Sequence, residues 1–330
     1  MPMLNAKSTR RTLLVSLLAL TAYNTAYAAP IKIGYSDWPG WVAWQVAIDK
    51  GWIKQAGVDA SFQWFDYSAS LDAFAAGKLD AVMATNGDTL VTGSSGGKGI
   101  MVLTTDYSNG NDIIIGKSGI KSLKDLAGQS VAVESGLVEH LLLLNGLQKA
   151  GIPEASIKIV NAKTNEMPQV LASGSVAAVG AWQPVAGQAL KGAPGSHPLY
   201  TSANEPGLIY DVVAVTPQSL NTHRADWVKL AKVWDKVVAY VNDPKTQPDA
   251  LKIMAARSGG GITPDAYKKL LNGTHLLSLA DNQRVMVKAT GFKSLYGSSY
   301  FVDKFNVSQK IYKVPQNVDG LIDPKVVSSN

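Results

Sequence analysis

Short runs with a two-residue apolar period alternate with runs of helical period along most of the chain. That alternation restricts the fold more than any other feature. The stretches "IKIGY" (31–35), "DASFQWF" (59–65), "LDAVMAT" (79–85), "IMVLTTD" (100–106), "DIIIGK" (112–117), "SIKIVNA" (156–162) and "VAAVGAW" (176–182) read as strands. Between them "GWVAWQVAIDKGWIKQAG" (40–57), "SASLDAFAAGK" (68–78), "LVEHLLLLNGLQKAGI" (137–152) and "MPQVLASGS" (167–175) read as helices, the first stopping at Gly57. Strands alternating with helices in this way predict an α/β fold with largely parallel sheets.

One unit occurs twice. "LDAFAAGKLDAVMATNGD" (71–88) aligns with "PQVLASGSVAAVGAWQP" (168–184), each a helix ending at glycine, a small-residue strand and a polar loop. Asn86 and Gln183 fall nine residues after Gly77 and Gly174. The echo predicts two similar lobes, with residues 29–113 in the first, 114–211 in the second, and 212–330 returning to the first with added C-terminal helices. The chain is expected to cross near "DIIIGK" and "YDVVAV". Beyond Val215 a long amphipathic helix, 224–243, carries Trp227, Leu230, Val233, Trp234, Val237 and Tyr240 on one stripe, a core face.

The N-terminus reads as an export leader. Lys7, Arg10 and Arg11 precede an apolar run and the small-residue signal "AYA", so residues 1–28 form a signal peptide cut after Ala28. The "RR" pair leaves Sec and twin-arginine export both open. The chain has no cysteine, which excludes disulfides, thiolate chemistry and a lipoprotein anchor. The leader carries three positive and no negative charges, so the mature net charge falls from +6 to +3. That balance points to neither nucleic acid nor membrane. A monomeric, unanchored, periplasmic protein is expected.

Catalytic and metal signatures are missing from the sequence. His140, His197, His223 and His275 are scattered without ligand spacing, and no nucleophile elbow, phosphate loop or dinucleotide fingerprint occurs. No cofactor is expected. Ligands of α/β sheets bind beyond the carboxyl ends of strands. Those ends here offer Asp37, Trp38, Trp41, Asn86, Asp88, Glu134, Trp182 and Gln183, with Tyr210 and Asp211 where the chain crosses back. None of these tips holds lysine, arginine or histidine.

The chain resembles the periplasmic solute-binding proteins of ABC importers that serve nitrate, alkylsulfonates, taurine and thiamine-precursor pyrimidines. The carrying residues are "IKIGYSDWPGW", "GVDASFQWFDYSASLDAFAAGKLDAVMATNGD", "GIKSLKDLAGQSVAVESG" and "QVLASGSVAAVGAWQP", in that order over nearly all of the mature chain. The resemblance implies two lobes joined by two crossovers, a ligand between them, hinge closure, and permease and ATPase subunits as partners. This sequence departs from the family at the loop after "VAV", where Glu134 stands in place of glycine, serine or threonine.

Each acid alone also suits a plainer role: Asp37, Asp88 and Glu134 as helix caps, Asp211 at a hinge or on the surface. The tryptophans equally suit lobe packing. Jointly, several acids at successive tips without a local base repel one another unless a cation joins them. Trp38, Trp41 and Trp182 would then supply ring faces. A planar, guanidinium-like organic cation matches carboxylates at its edge and rings on its faces. The alternative is a small anion or zwitterion (alkylsulfonate, taurine or nitrate), since helix N-termini aimed into a cleft favour anions. An enzyme on the same fold and a sensory or adhesive protein are the remaining readings.

Overall fold

The computed structural model describes residues 29–328, and the leader expected at 1–28 lies outside the described residues. In chain order the strands are β1 (Ile31–Tyr35), β2 (Ala60–Trp64), β3 (Ala81–Thr85), β4 (Ile100–Ser108), β5 (Asp112–Gly116), β6 (Ser130–Val133), β7 (Lys158–Asn161), β8 (Ala178–Trp182), β9 (His197–Thr201), β10 (Tyr210–Val215) and β11 (Thr274–Leu276). They form two sheets. One has the order β2-β1-β3-β10-β4-β11 and the other β7-β6-β8-β5-β9. The fold is a two-lobed α/β architecture, with one sheet per lobe. The chain leaves the first sheet through residues 109–111 and returns through 202–209, a few residues before the expected crossings.

The pairing directions decide which residues meet between the lobes. β1 runs parallel to β2 and β3, and β6 runs parallel to β7 and β8. β10 and β5 run the other way, against β3 and β8 respectively. The first residues of β10 and β5 therefore lie beside the last residues of β3 and β8. The register sets Asp211 opposite both Thr85 and Asp106, and Asp112 opposite Trp182.

The helix expected over 40–57 is three short helices, Pro39–Val42, Trp44–Asp49 and Trp52–Gln55. Gly51, at φ 67°, breaks the last two in a left-handed conformation that glycine adopts without a Cβ penalty. Gly57, at φ 71°, ends the last as expected. The stripe on Arg224–Asn242 is buried from Trp227 to Val237, with Tyr240 half-buried at its end. Trp234 packs on Trp44 with ring centroids 5.1 Å apart, joining this helix to the first lobe's core. Among the described residues no helix is long and apolar enough to cross a membrane.

Candidate functional site

Two neighbouring spaces that share Tyr67 and Trp182 in their linings lie between the lobes. The outer chamber has a volume of about 130 Å³ and is lined by Asp37, Asp66, Tyr67, Glu134, Lys163 and Trp182, among others. Beneath it is a cavity of about 10 Å³, roughly the ~10–15 Å³ that one water molecule occupies. Trp38, Trp41, Tyr67 and Trp182 supply four aromatic walls to this inner cavity, and Asp112 and Asp211 supply two carboxyls. Thr85 and Val138 complete it, so no basic side chain lines it. Tyr67 and Trp182 line both spaces and meet edge-to-face, centroids 5.2 Å apart at 84°, one ring from each lobe.

The ring box follows from local sequence. Pro39 starts a helix one residue after Trp38, which turns Trp38 and Trp41 under the sheet edge. Their centroids lie 6.3 Å apart, and Trp41 lies 5.3 Å from Tyr67. Trp38 donates its indole N–H to Asp106 Oδ1 at 2.8 Å. Gly40 is required beside it, because a Cβ there would overlap the Asp106 carboxylate. Trp41 Nε1 is buried and has no hydrogen-bond partner.

Under the box is a set of buried carboxyls. Asp88, Asp106, Asp112, Glu139 and Asp211 are each at most 2% exposed. Asp88 accepts from the Tyr67 hydroxyl at 2.7 Å and also faces the backbone N–H of Val138. Burial pushes Asp88 up to about 7, opposed by those donors. Asp106 and Asp211 are in contact, as are Asp112 and Glu139. Burial raises Asp106 and Asp112 to about 6. It lifts Asp211 and Glu139 much further, where the neighbouring carboxylates add to it. Asp106 takes hydrogen bonds from Trp38 and, at 2.9 Å, from Thr105, whereas Asp211 Oδ2 and both Glu139 oxygens have no donor. At neutral pH the donors on Asp106 favour its ionised form and leave the proton of the pair to Asp211.

The residues expected from the sequence divide into three groups. Asp37, Glu134 and Trp182 line the outer chamber, and Trp38, Trp41, Trp182 and Asp211 line the inner cavity. Asn86, Asp88, Gln183 and Tyr210 line neither. Asn86 donates to Ser298 and Ser299 at 3.0 and 3.2 Å and accepts from the Tyr210 backbone at 3.1 Å, tying three elements together. Gln183 Oε1 accepts from Gly187 N, and the Tyr210 hydroxyl donates to the Phe292 carbonyl. Neither Asp37 nor Asp88 caps a helix through its side chain: Trp38 holds the first cap position, and Thr85 holds the second, accepting from Asp88 N.

The sequence reading missed Tyr67, Asp106, Asp112, Glu139 and Lys163. Asp106 closes the run "IMVLTTD" near the carboxyl end of β4, whereas Asp112 opens "DIIIGK" and reaches the site because β5 runs antiparallel to β8. Glu139 was legible as an acid inside the apolar run "LVEHLLLL". The tips named from the sequence did not include the end of β7, which brings Lys163 to the border of the outer chamber.

Residues 38–249, more than half of the chain, match the family described as "NMT1/THI5 like". The chain belongs to the NMT1/THI5-like family. No curated protein matches it. Among solved structures it is similar to the alkanesulfonate-binding protein SsuA from Xanthomonas axonopodis pv. citri bound to MOPS: TM-score 0.71, 16% identity, 90% of this chain and 99% of that one. It is also similar to the periplasmic nitrate-binding protein NrtA from Synechocystis PCC 6803: TM-score 0.70, 11% identity, 91% and 87% covered. A third similar structure is the desulfurization enzyme DSZB: TM-score 0.62, 13% identity, 91% and 96% covered. At these identities the likeness speaks for the two-lobed fold.

Proposed function

We propose that this NMT1/THI5-like chain is the periplasmic solute-binding component of an ABC importer, and that it captures a small, planar, guanidinium-like organic cation between its lobes. The carrying observation is the inner cavity, with four aromatic walls, two carboxyls and no basic lining. The inner cavity as it stands has room for about one water, so the rings must part for a planar ion to enter, and the ion then offers edge N–H groups to Asp112 and Asp211. Ring contact with a desolvated cation adds roughly 0.5–2 kcal/mol per face. The permease and ATPase subunits are the partners this role requires.

A second reading, capture of a small anion or zwitterion such as an alkylsulfonate, taurine or nitrate, has two supports. Similar structures are named for sulfonate and nitrate binding, and Lys163 borders the outer chamber. Against it stands the N-terminus of the helix Val138–Lys149, which would attract an anion and already faces the Asp88 carboxyl. Catalysis, the activity of DSZB, is a third reading; rings and carboxyls without a nucleophile–base pair favour binding without turnover.

A thermal-shift screen with guanidinium, choline, taurine and nitrate tests the proposal, because a bound ligand stabilises by RT ln(1 + [L]/Kd). Guanidinium should raise the midpoint and be recovered unchanged. A rise with taurine or nitrate alone would favour the second reading, and an altered product the third.

A further inference from the structure

The β10–β4 register sets Asp211 directly opposite Asp106, and their carboxyls touch. Two ionised carboxylates cannot share that buried position, since neither would have a counter-charge. Trp38 and Thr105 both donate to Asp106, and among the described residues nothing donates to Asp211 Oδ2. One hydrogen must therefore lie between the two side chains in the empty protein, carried by Asp211. The Asp112–Glu139 pair is built alike, and neither Glu139 oxygen has another donor. Asp211 and Asp112 are also the two carboxyls that border the inner cavity.

We propose that capture of the cation expels the proton held by Asp211, so that proton and cation compete for one position, and that Asp106 is the residue which sets this competition. The inference rests on the cation reading above. In the exchange the Asp211 O–H bond breaks, the proton passes to solvent base, and a ligand N–H replaces it at the freed oxygen. One positive charge enters as one leaves, and the charge between the lobes is unchanged. Glu139 lies one step behind the cavity and keeps its proton.

The charged groups facing the pair all act in the same direction. Asp88, at the start of the helix after β3, and Asp112, on β5, bear on Asp211. Asp112 also bears on Asp106. The buried hydroxyls of Tyr67 and Tyr267 face Asp211 and Asp106 respectively. No basic group is among these, the two phenols stay neutral, and the neighbouring carboxylates favour holding a positive species, proton or ligand, at Asp211. Acid should therefore weaken the affinity for the cation.

Calorimetry of guanidinium binding in phosphate and in Tris buffer, whose ionisation enthalpies differ, counts the protons released. Guanidinium itself stays charged throughout the range, like an arginine side chain. We expect about one proton released per guanidinium near neutral pH, and a Kd about tenfold weaker per pH unit of acidification. Asp106→Asn keeps the acceptor for Trp38 and gives Asp211 a fixed N–H in place of the proton. It should bind guanidinium with little proton release and a flattened pH profile, whereas a merely structural role would shift affinity equally at every pH. Should this variant not fold, the two-buffer measurement on the wild type decides. Guanidinium binding without proton exchange and with a pH-independent Kd overturns this inference and leaves the cation reading standing. Absence of cation binding at any pH overturns both.

Discussion

Trp182, at the end of β8 in the second lobe, donates its indole N–H to the Asp37 carboxylate of the first lobe at 3.3 Å. The same ring stands edge-on to Tyr67 of the first lobe. One side chain thus makes a polar and an aromatic contact across the interlobe space. Asp37 is raised from its usual range mainly by burial, with the Trp182 bond opposing the rise.

Trp182→Phe keeps the ring and deletes the N–H. It should weaken ligand binding by about 0.5–1.5 kcal/mol, the net worth of one hydrogen bond. Solution scattering should show a larger radius of gyration for the empty variant than for the wild type. An unchanged radius and unchanged affinity would show that the bond does not hold the lobes together.

Asp112→Asn removes a charge from the inner cavity while preserving shape. Guanidinium binding should weaken by about 1.5–3 kcal/mol, the range for a hydrogen bond to a charged group. Lys163→Ala, on the outer chamber, should leave guanidinium affinity within about twofold, since an exposed charge is well screened. The reverse pattern in calorimetry would move the ligand to the outer chamber and favour an anion.

The buried acids make the empty protein sensitive to alkali. Asp88, Asp106 and Asp112 are raised to about 7, 6 and 6 from an ordinary value of 3.8. Between 3.8 and those values the folded chain holds protons that the unfolded chain has lost, so stability falls as pH rises through that window. Urea denaturation should show the empty protein more stable at about pH 5 than at about pH 8, by at least ~3 kcal/mol, since Asp88 titrates about two units above pH 5 and Asp106 and Asp112 about one unit each, at ~1.4 kcal/mol per unit. Saturating guanidinium should shrink the difference. Equal stability at both pH values would mean that these carboxyls are not protonated in the fold.

Asn86→Ala removes a buried amide that joins the helix Asn86–Ser94, β10 and the helix Leu295–Ser308. Stability should fall by roughly 1–3 kcal/mol, the cost of leaving buried partners unpaired. Ligand preference should not change, because Asn86 lines neither space. Denaturation and a competition assay read the two effects separately, and altered preference would return Asn86 to the site.

The α/β class and the two lobes were legible because period-2 and helical runs alternate cleanly and one helix–glycine–strand unit repeats. Single residues at strand tips were legible as well: Asp37, Trp38, Trp41, Glu134 and Trp182 all border the interlobe spaces. Asp112 was not, because a carboxyl-end rule written for parallel strands skips the starts of antiparallel ones; Asp106, near the carboxyl end of β4, fell within that rule and was passed over. Asn86 and Gln183, which the repeat aligned, share a fold position; they line neither space, and each makes local hydrogen bonds. The break at Gly51 was hidden inside an otherwise continuous amphipathic pattern.

Titration calorimetry of the wild-type protein near neutral pH, with guanidinium, choline, taurine and nitrate in turn, bears directly on the charge of the captured solute. The acidic aromatic cavity predicts one guanidinium per chain, weaker choline binding for want of edge donors, and no heat from taurine or nitrate. Binding of taurine or nitrate with both cations silent would contradict it.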